Sequence, residues 1–176
     1  MRRWQLGPGW LGAVLLMAPL AGQAQQSAHV HGAVRLDVAV DAASVSLQLE
    51  APLDSLLGFE RAPRSDAERR AVEALRVQLA QAAALFAVDA GAGCVAQAPV
   101  IKSALLDGAA KAGEHADLEA SYLLRCRQPG VLKVIDLNGL MTAFSRIQRV
   151  EVQVATPGGQ LKQTLKRPQA MVRLTR

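Results

Sequence analysis

An α+β fold, an antiparallel β-sheet of about seven strands with one main helix packed on it, is predicted by three features of this sequence. Apolar and polar residues alternate with a period of two in several short runs. One segment instead repeats its apolar residues every three and four positions, directly behind a helix-start signal. Clusters of Gly, Pro, Asp and Ser separate the runs, as turns between antiparallel neighbours require.

The elements follow in order. Val34, Leu36, Val38 and Val40 alternate with Ala33, Arg35, Asp37 and Ala39, which is the pattern of a half-buried strand. A turn over 41–44 leads to Val45, Leu47 and Leu49, set against Ser46, Gln48 and Glu50, so the two runs predict a hairpin ended by Pro52. Residues 53–63 read as irregular. Ser65 and Glu68 then form a capping box, in which the hydroxyl and the carboxylate satisfy backbone amides left open at a helix start. Val72, Leu75, Leu79, Ala82 and Phe86 place one apolar stripe on that helix, with Glu68, Arg69, Arg70, Glu73 and Arg76 mostly toward solvent. Such a stripe covers the open face of the sheet, or alternatively binds a partner. Gly91 and Gly93 close this unit.

Strand character returns with Val95, Val100 and Ile101, and the polar stretch 107–114 reads as an exposed loop. Leu118, Ala120, Tyr122, Leu124 and Cys126 alternate with Glu119, Ser121, Leu123 and Arg125. After a turn at Pro129 and Gly130, the β-branched composition of 131–144 predicts a further strand despite Gly139. Val150, Val152 and Val154 make another. A turn at 156–159 leads into 161–165, and 171–174 is a short final strand.

The first two dozen residues carry Arg2 and Arg3, an apolar run over 10–20 and small residues at Gly22 and Ala24, the order of a secretory signal peptide cleaved after Ala24. The alternative is an uncleaved signal anchor. The run is short for a hydrocarbon core of about 30 Å, and no later segment reaches the length of a permanent membrane span. The expected organisation is therefore a signal peptide over 1–24 and a single periplasmic domain over 25–176. The net charge of +5 falls to about +3 without Arg2 and Arg3, and it is spread along the chain. Lys162, Lys166, Arg167, Arg173 and Arg176 gather near the end without aromatic residues beside them, so they read as a solvated face and not as a nucleic-acid site.

The two cysteines, Cys94 and Cys126, predict a disulfide in an exported chain; a thiolate metal site or a redox couple are the competing readings, and neither cysteine sits in a C-x-x-C motif. No phosphate-binding glycine loop and no G-x-S-x-G elbow occurs, and His29 and His31 stand beside no serine or cysteine nucleophile, so no enzyme is expected. Pairing of Glu60 with Glu50 or Asp54 as acid and base competes with a plain reading as loop and strand-end charges. His29 and His31, two apart in an extended chain, present two imidazoles to one side and form half of a zinc site. His115 is the remaining histidine, flanked by Glu114 and Asp117. The alternative is a mobile polar tail.

His29-Val30-His31-Gly32 ahead of a strand, Leu57-Gly58-Phe59-Glu60-Arg61-Ala62-Pro63-Arg64 ahead of the helix, Cys94 with the Tyr122-x-x-x-Cys126 spacing, and Thr156-Pro157-Gly158-Gly159-Gln160 together resemble the ZrgA-type family of periplasmic zinc-binding proteins. The motifs are short, but their order spans the chain behind the leader. The resemblance implies a periplasmic protein that binds zinc through histidines and supports zinc acquisition, beside an ABC uptake system with its own solute-binding protein. It extends the ligand set to His29, His31 and His115, with Glu60, Glu114 and Asp117 as carboxylate ligands. This chain differs from the family pattern in having one histidine in the interval 110–117 and in carrying Arg61 where histidine is more usual. An interaction module of the cell envelope that kept the fold and lost the metal is the other expectation.

Overall fold

The computed structural model describes residues 30–109 and 116–175. The hairpin is present as β1 (Ala33–Asp41) and β2 (Ser44–Pro52), paired antiparallel with Val38 opposite Leu47. The alternation is strict: Val34, Leu36 and Val38 are buried, as are Val45, Leu47 and Leu49. Seven strands form the larger sheet. Next to β2 lies β6 (Asp117–Cys126), whose far edge carries β4 (Cys94–Ala96) and β5 (Val100–Lys102). On the other side of β1 lie β8 (Arg149–Thr156) and β9 (Gly159–Lys166). A smaller sheet sets β7 (Val134–Asp136) between β10 (Met171–Arg173) and β3 (Ala87–Val88).

The expected sheet is antiparallel, and the observed one is mostly so, but β1 runs parallel to β8, with Leu36 opposite Val152. No local alternation distinguishes the two directions, because a strand buried on one face reads the same whichever way its neighbour runs. Three further expectations are corrected. Residues 53–57, read as irregular, form the short helix α1 (Leu53–Leu57), closed by Gly58 in the left-handed region (φ 87°). The expected single helix is α2 (Asp66–Ala80), but its apolar stripe continues into a separate turn, α3 (Ala82–Leu85), and Phe86 lies beyond it in extended backbone. Finally, 131–144 is not one strand: β7 gives way to α4 (Asn138–Ala143). The side chain of Asp136 accepts the Asn138 N–H at 2.8 Å and turns the chain out of the sheet. Of the four α-helices among the described residues only α2 exceeds six residues.

The core lies on one side of the large sheet. Val72, Leu75 and Leu79 of α2 join the inward residues of β1, β2, β6 and β8, together with Leu140, Met141 and Phe144 from the α4 region. The stripe on α2 is therefore core and not a free partner surface. Ser65 starts the helix as expected, accepting the Glu68 N–H at 3.2 Å. Tyr122 is buried with its ring edge-on to Phe86, centroids 4.9 Å apart. Burial pushes its phenol pKa up, and among the described residues its hydroxyl has no hydrogen-bond partner. A buried hydroxyl without a partner loses its hydration for nothing in return. Tyr122→Phe is accordingly expected to be neutral or to stabilise the domain by up to about 1 kcal/mol in urea unfolding, where most core substitutions destabilise.

The cysteines form a disulfide, Cys94 directly opposite Cys126 in the β4–β6 ladder. It ties the three-residue strand β4 to the ten-residue strand β6.

Candidate metal centre

Four chain segments meet at one end of the large sheet. The segment before β1 carries His31 and Gly32, and α1 leaves the end of β2 with Asp54 and Ser55. The start of β6 lies opposite Pro52, with the Ala116 carbonyl accepting the Leu53 N–H at 3.1 Å, and the loop before β8 brings Arg146 and Gln148.

The arm carrying His31 is clamped at Gly32. Its N–H donates to the hydroxyl of the fully buried Ser55 at 3.0 Å. Its carbonyl accepts from the N–H groups of Gln148 and Arg149 at 2.8 and 2.9 Å. Gly32 adopts φ 76°, and a β-carbon there would sit 3.2 Å from the Arg146 carbonyl oxygen, so both conformation and space call for glycine. Three directional bonds on one residue fix the backbone from which His31 projects.

His31 is held between two carboxylates. Its Nδ1 lies 3.4 Å from Asp54 Oδ2 and its Nε2 lies 3.9 Å from Glu60 Oε1. The imidazole is 64% exposed while Asp54 and Glu60 are 20% and 12% exposed, so the ring is open to an incoming ion above anchored acids. Because the acids face opposite ring nitrogens, they cannot both join His31 on a single ion. That agrees with the finding that, among the described residues, no three His, Cys, Asp or Glu are grouped to hold a metal. The arrangement instead suits a division of labour. Two donors on a tetrahedral zinc lie about 3.3–3.4 Å apart, so Nε2 and Glu60 Oε1 need to close by about half an ångström to share one. With an ion bound there, Asp54 would be placed to accept from Nδ1–H and fix the tautomer, the usual outer support of a zinc-bound imidazole.

Asp117 starts β6 opposite Pro52, at the same end of the sheet. His29, His115 and Glu114 lie outside the described residues, as does the Ala24 cleavage position. Asp54, Ser55 and Gly32 are the residues that sequence reading did not assign to this site. An acid and a serine in the first turn after Pro52 were the available signal, obscured once 53–63 was read as irregular.

Arg61 is engaged by Glu68. Its guanidinium bonds both Glu68 oxygens, at 2.6 and 3.0 Å, and stands over the Phe59 ring at 5.3 Å. Glu68 also accepts the Arg64 N–H at 2.5 Å. The Arg61 bond, followed by the Arg64 amide, draws the Glu68 pKa from 4.5 down to about 2. A carboxylate with a depressed folded-state pKa contributes stability that is complete above 4.5 and lost as pH falls through about 2. Arg61→Gln is expected to lower stability at neutral pH, where Glu68 is ionised, with the difference from wild type shrinking as pH falls toward about 2, as followed by urea unfolding at a series of pH values.

A family model described as ZrgA family zinc uptake protein matches residues 28–174. No curated protein matches the chain. The match takes in both strands of the hairpin, the His31 arm, α1 and the disulfide, and by it the chain belongs to the ZrgA family of zinc uptake proteins.

Proposed function

We propose that this protein is a non-enzymatic zinc carrier of the periplasm, exported by cleavage after Ala24, which takes zinc at His31 and supports its acquisition. The observation that carries the reading is the His31 imidazole set between Asp54 and Glu60 on a clamped backbone. Membership in a zinc uptake family and a disulfide, which persists in oxidising compartments, support it. His31 and Glu60 are the proposed donors from the described residues, with Asp54 orienting the ring. His29, His115, Glu114 and Asp117 complete the proposed set. The cargo is released to an ABC uptake system or its solute-binding protein. Zinc takes neutral imidazole, so acidification weakens binding by proton competition.

Zinc titration by calorimetry tests this with wild type, His31→Ala, Asp54→Asn and Glu60→Gln. Wild type is expected to bind at micromolar zinc, His31→Ala to lose at least tenfold in affinity, and Asp54→Asn to lose about 10- to 100-fold as an outer partner. Unchanged binding in His31→Ala overturns the ligand choice. The absence of binding in wild type overturns the zinc reading and leaves the interaction module, in which the three residues are an ion-paired anchor for the arm. Adding His29→Ala and His115→Ala to the series tests the remaining imidazoles.

A further inference from the structure

Among the described residues the large sheet ends on β9, an eight-residue strand hydrogen-bonded on one side only, to β8. Outside that ladder, no backbone hydrogen bond among the described residues involves 160–165. The opposite end of the sheet is different: β4 and β5 are three residues each, and β4 is tied down by the disulfide. A long strand with open N–H and C=O groups is a template for another strand.

The side chains of β9 say what kind. Lys162 lies opposite Gln153 and Lys166 opposite Arg149, so both lysines stand on the solvent face of the sheet. Both are exposed, and among the described residues neither has an ion-pair partner. Arg149, on the same face, is already held by Glu151 at 3.1 Å. On the core face, Leu161 is only half-buried, whereas the Gln163 amide is taken up by the backbone of Arg173, donating at 2.7 Å and accepting at 2.9 Å. Beside Lys162 an open trough of about 500 Å³ runs over the small residues Ala39, Ser46 and Ala155, leaving room for long side chains.

We propose that β9 is a docking edge for an extended segment of a partner protein in which acidic residues alternate with apolar ones. Main-chain bonds to β9 provide attachment, acids on the solvent face meet Lys162 and Lys166, and an apolar residue covers Leu161. Pairing of β9 with a second copy is disfavoured, because it brings four lysines onto one face across a single strand spacing of about 4.8 Å. The two lysines share their face with Asp37, Glu50, Glu119 and Glu151, which distinguishes this edge from a surface built for anionic lipid.

The probe is a seven-residue peptide of alternating glutamate and valine, titrated into the protein with amide chemical shifts followed by NMR. Binding is expected with shifts concentrated in 159–166, at least tenfold weaker for the lysine–valine counterpart and for a peptide with proline at its centre. In Lys162→Glu/Lys166→Glu the preference between the glutamate and lysine peptides is expected to reverse. Both substitutions are on the exposed face, so an unchanged melting temperature verifies the fold. Absence of binding, shifts away from β9, indifference to the central proline, or an unreversed preference overturns the proposal. Binding to vesicles containing phosphatidylglycerol without binding to the peptide overturns it in favour of a membrane surface.

Discussion

Replacing Gly139 by alanine is expected to lower stability by about 3 kcal/mol or more, a fall in melting temperature of about 10 °C for a domain of this size. Gly139 opens α4 where it crosses α3, and the crossing is closer than any side chain permits. A methyl group built on Gly139 collides with the Ala84 carbonyl oxygen and lies 2.9 Å from the Ala84 carbonyl carbon and 3.2 Å from Leu85 Cα. Backbone cannot step aside as the end of a flexible side chain would, so the whole contact between the helices must open. Leu85, Leu140 and Met141, all buried around it, would lose packing together. Thermal unfolding of Gly139→Ala checks this. A fall of less than about 2 °C would mean that the two helices are not packed at this distance. Thr142→Ala, on an exposed position of the same helix, is the control and is expected to change little.

Removing the disulfide is expected to have an effect of similar size through a different state of the chain. The bond closes a loop with a sequence separation of 32. In the chain-entropy model that restricts the unfolded ensemble by about 3–4 kcal/mol, against a total folding free energy of about 5–15 kcal/mol. Cys94→Ser/Cys126→Ser should therefore melt about 10 °C lower, and reduced wild type should match it. The loss is expected to leave the midpoint of zinc titration unchanged, because the bond joins β4 to β6 at the end of β6 away from Asp117. Equal melting of the oxidised and reduced protein would refute the stabilising role.

The two positions also mark where reading the sequence succeeds and fails. Cys94 and Cys126 were legible because an even pair in a chain read as exported has one economical use. Gly139 was passed over because Val131, Val134 and Ile135 have β-branched side chains and drew the whole segment toward a strand. The helical spacing was nonetheless present: Leu137, Leu140, Met141 and Phe144 are three and four apart, and all are buried. Asp136 ahead of Asn138 was the start signal. Composition outweighed period in a stretch too short to separate them.

The metal centre divides in the same way. His31 and Glu60 were legible as residue types that ligate zinc, and the motif that carries each was part of the family resemblance. Asp54 was legible only as one carboxylate among several. Its pairing with His31 depends on α1 folding back beside the start of β1, where the hydroxyl of Ser55 takes the Gly32 N–H. Nothing within a few residues of His31 encodes that contact, since Ser55 is 23 positions from Gly32.

By itself the sequence determined the local elements: the hairpin, the capped helix, the long strand through Tyr122, the closing strands and the cysteine pair. The strands and the helix depend on the order of side chains within about ten residues, which sets burial period and the first hydrogen bonds of a helix, and the cysteine pair was legible from its count. Only the tertiary structure decided that β1 lies parallel to β8, that α4 crosses α3 on bare backbone, and that His31 stands between Asp54 and Glu60. These depend on which distant surfaces exclude water together, and many arrangements of the same apolar faces bury similar area. Packing without voids, directional bonds such as those on Gly32, and the space left by Gly139 select one of them.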